Sequence, residues 1–102
     1  MSQEQFLYIT TTGWKTGRQH TIEIWFVKYA DRYYVMSEGK GQAHWVQNIM
    51  HDSKVSFSVG SKSFAGAGRV IESKDPAAAE VRKLMRAKYG WDQGLIAEFV
   101  PY

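Results

Sequence analysis

The 102-residue chain contains no cysteine and only two prolines. Without a thiol it cannot carry a cysteine nucleophile, a thiolate metal site or a disulfide, and this composition suits a reducing compartment. No apolar run approaches the roughly 20 residues that span a bilayer. The first five residues, MSQEQ, lack the basic and apolar pattern of a signal peptide. These absences predict a cytoplasmic protein without a membrane span.

The sequence also has little that would bind a metal or carry hydrolytic chemistry. Its three histidines are His20, His44 and His51. The last two lie seven residues apart on a predicted helix, about 10 Å along its axis, which is too far for one metal ion to bind both. No cysteine or cluster of carboxylates completes a site, and the G-x-S-x-G pattern of many hydrolases is missing. We therefore predict no metal.

Charge and aromatic content restrict the class of partner. The formal net charge is +3 and the pI is about 9.2, which suits an anionic ligand. Lysines and arginines are spread along the chain among acidic residues, so the sequence favours a small-molecule partner over nucleic acid. Aromatic residues make up 15% of the chain. Such rings are used either in a core or in a pocket for a planar ligand.

Six segments of alternating or β-branched character predict strands, and two segments predict helices. The predicted strands are Phe6–Thr12, Thr21–Tyr29, Arg32–Ser37, Lys54–Val59, Ser63–Glu72 and Leu95–Val100. The first helix is predicted over Ala43–Met50, with an apolar face of Trp45, Val46, Ile49 and Met50 that is typical of a core. The second begins at Asp75-Pro76 and ends at Tyr89-Gly90-Trp91.

The order of these elements predicts one mainly β domain over residues 1–102. Most strands follow one another as hairpins, and Ala65-Gly66-Ala67-Gly68 predicts a close backbone approach or a sharp bend. We therefore expect a six-stranded antiparallel barrel with two helices packed outside.

The loop Gly13–Arg18, with the sequence G-W-K-T-G-R, is the first candidate site. Successive N–H groups in such a turn form an anion-binding nest. Lys15 adds a point charge, and Arg18 adds a planar fork suited to phosphate. The alternative is a solvated hairpin turn without a ligand.

A second glycine loop, Glu38-Gly39-Lys40-Gly41, precedes the first predicted helix. A helix N-terminus offers free N–H donors to an anion or a ring carbonyl. Both loops follow strands that neighbour the same central strand. A ligand with a planar head and a phosphorylated tail would span the two.

Several segments between Phe6 and Trp91 resemble the deazaflavin (F420)-dependent nitroreductase family. The resemblance is carried by F-L-Y-I-T-T-T-G-W-K-T-G-R, T-I-E-I-W-F, Y-Y-V-M-S-E-G-K-G-Q-A-H-W-V-Q-N-I, D-S-K-V-S-F-S-V-G and K-Y-G-W. Members are split β-barrel oxidoreductases related to the FMN-binding pyridoxamine-phosphate-oxidase superfamily. The resemblance implies hydride transfer from reduced F420 to an enone, quinone or nitro compound. The alternative is a non-catalytic F420-, FMN- or haem-binding carrier of the same fold. Related barrels often dimerise, so a homodimer is possible.

The resemblance also implies roles for individual residues toward F420, a 5-deazaflavin with a phosphate and an oligoglutamate tail. Trp14, Lys15 and Thr16 would hold the phosphate, with help from Arg18. The residues of the next strand that would line the cofactor channel are His20, Thr21, Ile22, Glu23 and Ile24.

The remaining implied residues surround the deazaflavin ring. Met36, Ser37 and Glu38 would lie beside it, and Trp45 and Asn48 would close over it. Tyr89 or Trp91 would face the substrate. A hydroxyl of Ser37 or Tyr89, or a water molecule, would supply the proton that accompanies the hydride.

Overall fold

The computed structural model describes residues 6–38, 43–72, 74–91 and 93–102. The strands are β1 (Phe6–Thr12), β2 (Gln19–Tyr29), β3 (Arg32–Ser37), β4 (Lys54–Val59), β5 (Lys62–Ile71) and β6 (Leu95–Pro101). The helices are α1 (His44–His51) and α2 (Pro76–Tyr89). The predicted elements are confirmed, with bounds that differ by a residue or two.

The strands form a closed antiparallel barrel in the order β1-β2-β3-β6-β5-β4, in which β4 pairs back with β1. The predicted barrel with two helices is therefore confirmed. None of the helices in the described parts of the chain is long and apolar enough to cross a membrane.

The barrel interior is filled by alternate residues of the strands, including Leu7, Val35 and Phe99, which are completely buried. Helix α1 packs Trp45, Val46 and Ile49 against this interior. The prediction was wrong for Met50, which is 66% exposed. Met50 follows the buried Ile49 in the last turn of α1 but lies about 100° further round the helix, on its exposed side.

Helix α2 covers a second apolar layer on the outside of the barrel. Val81 and Met85 pack there against side chains such as Val27 and Ile96. The helix begins as predicted, because the Asp75 side chain accepts a hydrogen bond from the N–H of Ala77 at 2.9 Å. It ends before Gly90, whose N–H donates to the Arg86 carbonyl.

The predicted close approach along the fifth strand is also confirmed. A Cβ at Gly66 would overlap the carbonyl oxygen of Val100 on β6, so only glycine allows the two strands to meet here.

A buried carboxylate, Glu98, joins three strands beside the start of α2. It accepts hydrogen bonds from Tyr34 Oη at 2.8 Å, from Arg69 Nε at 2.8 Å and from Arg32 at 3.2 Å. Burial acts to raise the pKa of Glu98, but these hydrogen bonds outweigh burial and lower that pKa. Burial and the bond to Glu98 raise the pKa of Tyr34 to about 12. The Glu98 carboxylate is bonded to all three of these side chains. We therefore assign this Glu98 cluster to stabilising the barrel.

Candidate functional site

Strand β2 changes its neighbour halfway along its length. Residues Gln19–Trp25 pair with β1, whereas Phe26–Tyr29 pair with β3. Beyond Val35, β3 continues as Met36 and Ser37, which pair with β6 in the described ladders. The two strands therefore separate past the Phe26↔Val35 pair, where β2 runs back to Trp25 and β3 runs on to Met36, and the barrel wall opens between them.

A cavity of about 550 Å³ occupies this opening, and we call it the gap cavity. It is within the size range of small-molecule sites. Strand residues from both sides of the gap line it, together with residues from the start of α1 and from the segment after α2. They are Phe6, Glu23, Ile24, Trp25, Met36, Ser37, Glu38, Ala43, Trp45 and Trp91. The lining is largely aromatic and apolar, which suits a planar ring.

The floor of the gap depends on Gly94. Its φ of 140° lies where side-chain-bearing residues rarely occur, and an added Cβ would lie 2.6 Å from the Ser37 carbonyl oxygen. Ser37 is 3% exposed at this point. Gly94 therefore lets β6 approach the end of β3 and sets the position of Ser37.

The loop Gly13–Arg18 holds its shape through its own hydrogen bonds. The N–H of Gly13 donates to the Arg18 carbonyl at 2.7 Å, and that of Gly17 donates to the Gly13 carbonyl at 2.8 Å. The N–H of Arg18 donates to Thr16 Oγ1 at 3.2 Å. Much of the predicted N–H nest is therefore used inside the protein, and anion binding here depends chiefly on side chains.

Helix α1 fixes this loop to the barrel through Asn48. Asn48 Oδ1 accepts a hydrogen bond from the Trp14 N–H at 3.2 Å, and its Nδ2 donates to Thr11 Oγ1 at 2.9 Å. Asn48 was expected to close over the ring, but its two amide ends bond to Trp14 of the loop and to Thr11 of β1, so a contact with the ring stays a prediction. His51 adds to the attachment by stacking on Trp14, with ring centroids 4.2 Å apart.

A second cavity of about 420 Å³ lies between the loop and α1, and we call it the loop cavity. Its lining residues come from the loop, from α1 and from the start of β2. They are Gly13, Trp14, Lys15, Thr16, His20, His44, Gln47 and Asn48. Lys15 Nζ lies 4.9 Å from the centre of the Trp14 ring. No acidic side chain is among the described residues that line it, so this cavity suits an anion.

The two cavities lie at opposite ends of the β1–β2 ladder. The ladder begins at Phe6↔Trp25 beside the gap cavity and ends at Thr12↔Gln19 beside the loop cavity. This length corresponds to about 20 Å of strand. Helix α1 borders both cavities. The arrangement fits an elongated ligand with a planar ring at one end and a phosphate further along.

Tyr89 does not line either cavity. Its Oη donates to the Phe26 carbonyl at 2.8 Å and accepts from the Phe26 N–H at 3.0 Å. Its ring stacks on Trp25 with centroids 4.4 Å apart. Burial raises the pKa of the Tyr89 hydroxyl, against the effect of the Phe26 bond. The hypothesis that Tyr89 donates a proton therefore lacks a geometric basis, and Trp91 is the residue that reaches the gap.

Three further predicted residues lie outside both cavities. Thr21 Oγ1 and Thr10 Oγ1 are 2.7 Å apart on the exposed face of the β1–β2 ladder. Ile22 packs against the interior core. The Arg18 side chain is exposed and lines neither cavity. The predicted anion site at Gly39–Gln42 falls outside the described residues.

Several residues that line the two cavities had no role predicted from the sequence. His44 and Gln47 share a face of α1 with Asn48 and His51, at i, i+3, i+4 and i+7 spacing, and this polar face was the available signal. Trp25 lies two positions after Glu23 on the same face of β2. Across residues 6–38, 43–72, 74–91 and 93–102, no three His, Asp or Glu side chains form a group that could hold a metal ion.

A family model described as F420H(2)-dependent quinone reductase matches residues 1–93 of the chain. No curated protein matches.

Solved structures with the same fold include proteins of different functions. The haem storage protein HutZ from Vibrio cholerae has a TM-score of 0.82 and 15% identity, covering 98% of this chain and 83% of that one. An F420-H2 dependent reductase, FDR-A, has a TM-score of 0.74 and 22% identity, covering 94% and 93%. A candidate pyridoxamine 5′-phosphate oxidase from Listeria innocua has a TM-score of 0.74 and 17% identity, covering 97% and 85%. At these identities the likeness shows the fold alone.

Proposed function

Because the chain belongs to the F420H(2)-dependent quinone reductase family, we propose that it binds F420 across the gap and loop cavities and reduces a small quinone. The observation that carries this proposal is the placement of an aromatic cavity and a cationic cavity at opposite ends of one ladder. These two environments match the deazaflavin ring and the phosphate of F420.

The loop cavity supplies groups that suit the phosphate. Lys15 offers an ammonium, and the Thr16 hydroxyl keeps its proton for donation while its oxygen accepts from Arg18. His20 and His44 line the same space from β2 and α1. Charge-assisted hydrogen bonds to an anion are the stronger class, so we assign Lys15 the largest share of affinity.

The gap cavity supplies groups that orient the ring and exclude water. Trp45 and Trp91 offer flat apolar surfaces, and Met36 and Glu38 extend from the end of β3. When bound there, the reduced deazaflavin supplies the hydride. The Ser37 hydroxyl, buried in the wall of the gap, would donate a hydrogen bond to the acceptor oxygen and relay to it the accompanying proton, which comes from water.

Three finer points are part of the same proposal. Enones and nitro compounds are acceptors of the same electrophilic character as quinones. The protein acts in the cytoplasm. It forms a homodimer, which would cover exposed aromatic side chains such as Tyr8 and Trp14.

The first experiment is titration of the purified protein with oxidised F420 while tryptophan fluorescence is followed. We expect Trp14 and Trp45 to report binding, because they line the loop and gap cavities. Lys15→Ala should weaken binding roughly ten- to a hundredfold, as expected for a hydrogen bond to a charged group. Lys83→Ala is the matched control, because Lys83 is exposed on α2 and lines neither cavity.

Parallel titrations with FMN and haem test the alternatives raised by the shared fold. If the protein binds FMN or haem and does not bind F420, then that molecule is its cofactor. If Lys15→Ala leaves the affinity for F420 unchanged, the phosphate does not bind in the loop cavity.

Turnover is tested by oxidation of reduced F420 with menadione, followed by the absorbance of the oxidised cofactor. Ser37→Ala should lower kcat about a hundredfold, because general acid catalysis contributes at least that factor. Unchanged kcat in this variant would remove Ser37 from the mechanism. Tight F420 binding without turnover on quinone, enone or nitro acceptors would indicate a carrier.

A further inference from the structure

We propose that the barrel carries a second ligand site, separate from the cofactor site, which binds a compact aromatic carboxylate. This site is a cavity of about 510 Å³ between the β2–β3 hairpin, the β4–β5 turn and the end of α2. We call it the lysine cavity. Its described lining shares no residue with the gap cavity or the loop cavity.

The floor of the lysine cavity is aromatic. Phe26 and Tyr33 are almost fully buried, with ring centroids 6.1 Å apart. Tyr33 continues inward to Phe57 at 5.3 Å and to Phe64 at 5.6 Å. Leu84 of α2 forms an apolar side wall. A flat ring entering from solvent would therefore lie between an apolar wall and an aromatic floor, which favours an aromatic body over a sugar or a peptide.

The rim of the same cavity is cationic. Lys28, Lys62 and Lys88 line it from three different elements, and none of the described lining residues is acidic. Lys88 Nζ donates to the Phe26 carbonyl at 3.0 Å and lies 3.9 Å from the centre of the Phe26 ring. Lys28 Nζ lies 5.7 Å from the centre of the Tyr33 ring. Two of the three ammonium groups are thus positioned directly over the aromatic floor.

This combination selects for both charge and shape. Three lysines that line one cavity attract an anion, and a carboxylate can accept hydrogen bonds from more than one ammonium group. Burial of an apolar group against the aromatic floor adds binding free energy, and a small inorganic anion has no such group. An aromatic carboxylate satisfies both requirements. A neutral aromatic molecule would satisfy only the floor, and acetate would satisfy only the rim.

The test is an amide-resolved NMR titration of the full chain with 2-naphthoate, naphthalene-2-carboxamide and acetate. We expect 2-naphthoate to shift amides at residues 26–28, 59–62 and 84–88, and to bind at least fivefold more tightly than either comparison compound. The double variant Lys28→Met/Lys62→Met should weaken naphthoate binding about five- to twentyfold, as two partly exposed ion pairs would. Lys54→Met/Lys83→Met is the matched control, because both of its lysines are exposed and lie outside the cavity.

A filling variant tests location independently of charge. Ala87 is exposed on α2 and lines the cavity, so Ala87→Trp should block naphthoate without disturbing the core. Equal affinity for naphthoate and its carboxamide, or shifts confined to the gap cavity, would overturn the proposal. So would naphthoate binding that survives both variants. F420 affinity is expected to be unchanged in all of these variants, so failure here is distinct from failure of the cofactor assignment.

Discussion

The two edges of β3 differ in how much of their length is paired with a neighbouring strand. On one edge, β3 pairs with β6 from Tyr33 to Ser37. On the other, it pairs with β2 only from Arg32 to Val35 and then leaves it. The first edge carries the Glu98 cluster, and the second opens into the gap cavity. One strand therefore stabilises the barrel along one edge and borders the proposed cofactor site along the other.

The two edges show how a small barrel keeps an opening in its wall. Unpaired backbone at a sheet edge costs stability unless other groups bind it. At the opening, the Tyr89 hydroxyl binds both backbone groups of Phe26, where β2 changes neighbour. On the closed side, Glu98 draws β3, β5 and β6 together through side chains. Variants on each side should therefore separate stability from binding.

The largest effect is expected from Glu98→Ala. The change leaves the buried Tyr34 hydroxyl without its acceptor and removes the anion that Arg32 and Arg69 share. We expect a loss of about 2–4 kcal/mol in the free energy of unfolding, measured by urea denaturation. The exposed Glu72→Ala is the control, with an expected change within about 0.5 kcal/mol. F420 affinity of the folded fraction should not change, and a tenfold loss there would show that the two edges are coupled.

A smaller loss of stability, combined with a large loss of activity, is expected from Gly94→Ala. The new Cβ would meet the Ser37 carbonyl oxygen at 2.6 Å and would require a φ of 140°. Strain of this kind costs about 1–3 kcal/mol. Displacement of Ser37 by a fraction of an ångström should reduce kcat at least tenfold. The control is Gly60→Ala, a positive-φ glycine in the β4–β5 turn away from the gap. An active, merely destabilised Gly94→Ala protein would contradict this account.

The Tyr89→Phe variant distinguishes support of the opening from catalysis. Removal of the hydroxyl leaves the N–H and C=O of Phe26 with one bonding partner fewer, while the stack on Trp25 remains. We expect a loss of about 1–2 kcal/mol in the free energy of unfolding. Quinone reduction per folded molecule should stay within twofold of the native rate. A hundredfold fall in kcat with native stability would restore Tyr89 as a proton donor.

The barrel was largely predictable from the sequence, because its signals are local. Alternation defines each strand, Asp75 and Pro76 mark the start of α2, and the glycines at 66 and 68 mark a close approach. The loop that we propose to bind the phosphate was also visible in the sequence, since Lys15 and Thr16 lie in one short segment. The family resemblance then indicated which strand ends should form the rest of the site.

The parts that could not be predicted depend on register and on long-range contacts. Nothing local shows that β2 changes neighbour after Trp25, because that depends on where β1 begins and where β3 ends. Asn48 was expected at the ring, but its amide geometry attaches it to the loop. Tyr89 was expected at the substrate, but it bonds to a residue 63 positions away. Such side chains choose their partners only in the assembled fold.

The smallest expected effect is the loss of stability at low pH, and it is specific to the edge of β3 that pairs with β6. The hydrogen bonds to Glu98 overcome its burial and hold its folded-state pKa below the ordinary value of 4.5. Its contribution to stability is therefore fully present above about pH 4.5 and is lost as the pH falls through the lowered pKa. In Glu98→Gln this dependence is absent, so urea denaturation from pH 6 down to pH 3 should show the difference in stability between native and variant shrinking. A difference that stays constant over that range would mean that Glu98 acts through packing rather than charge, and the contrast between the two edges of β3 would then be steric, not electrostatic.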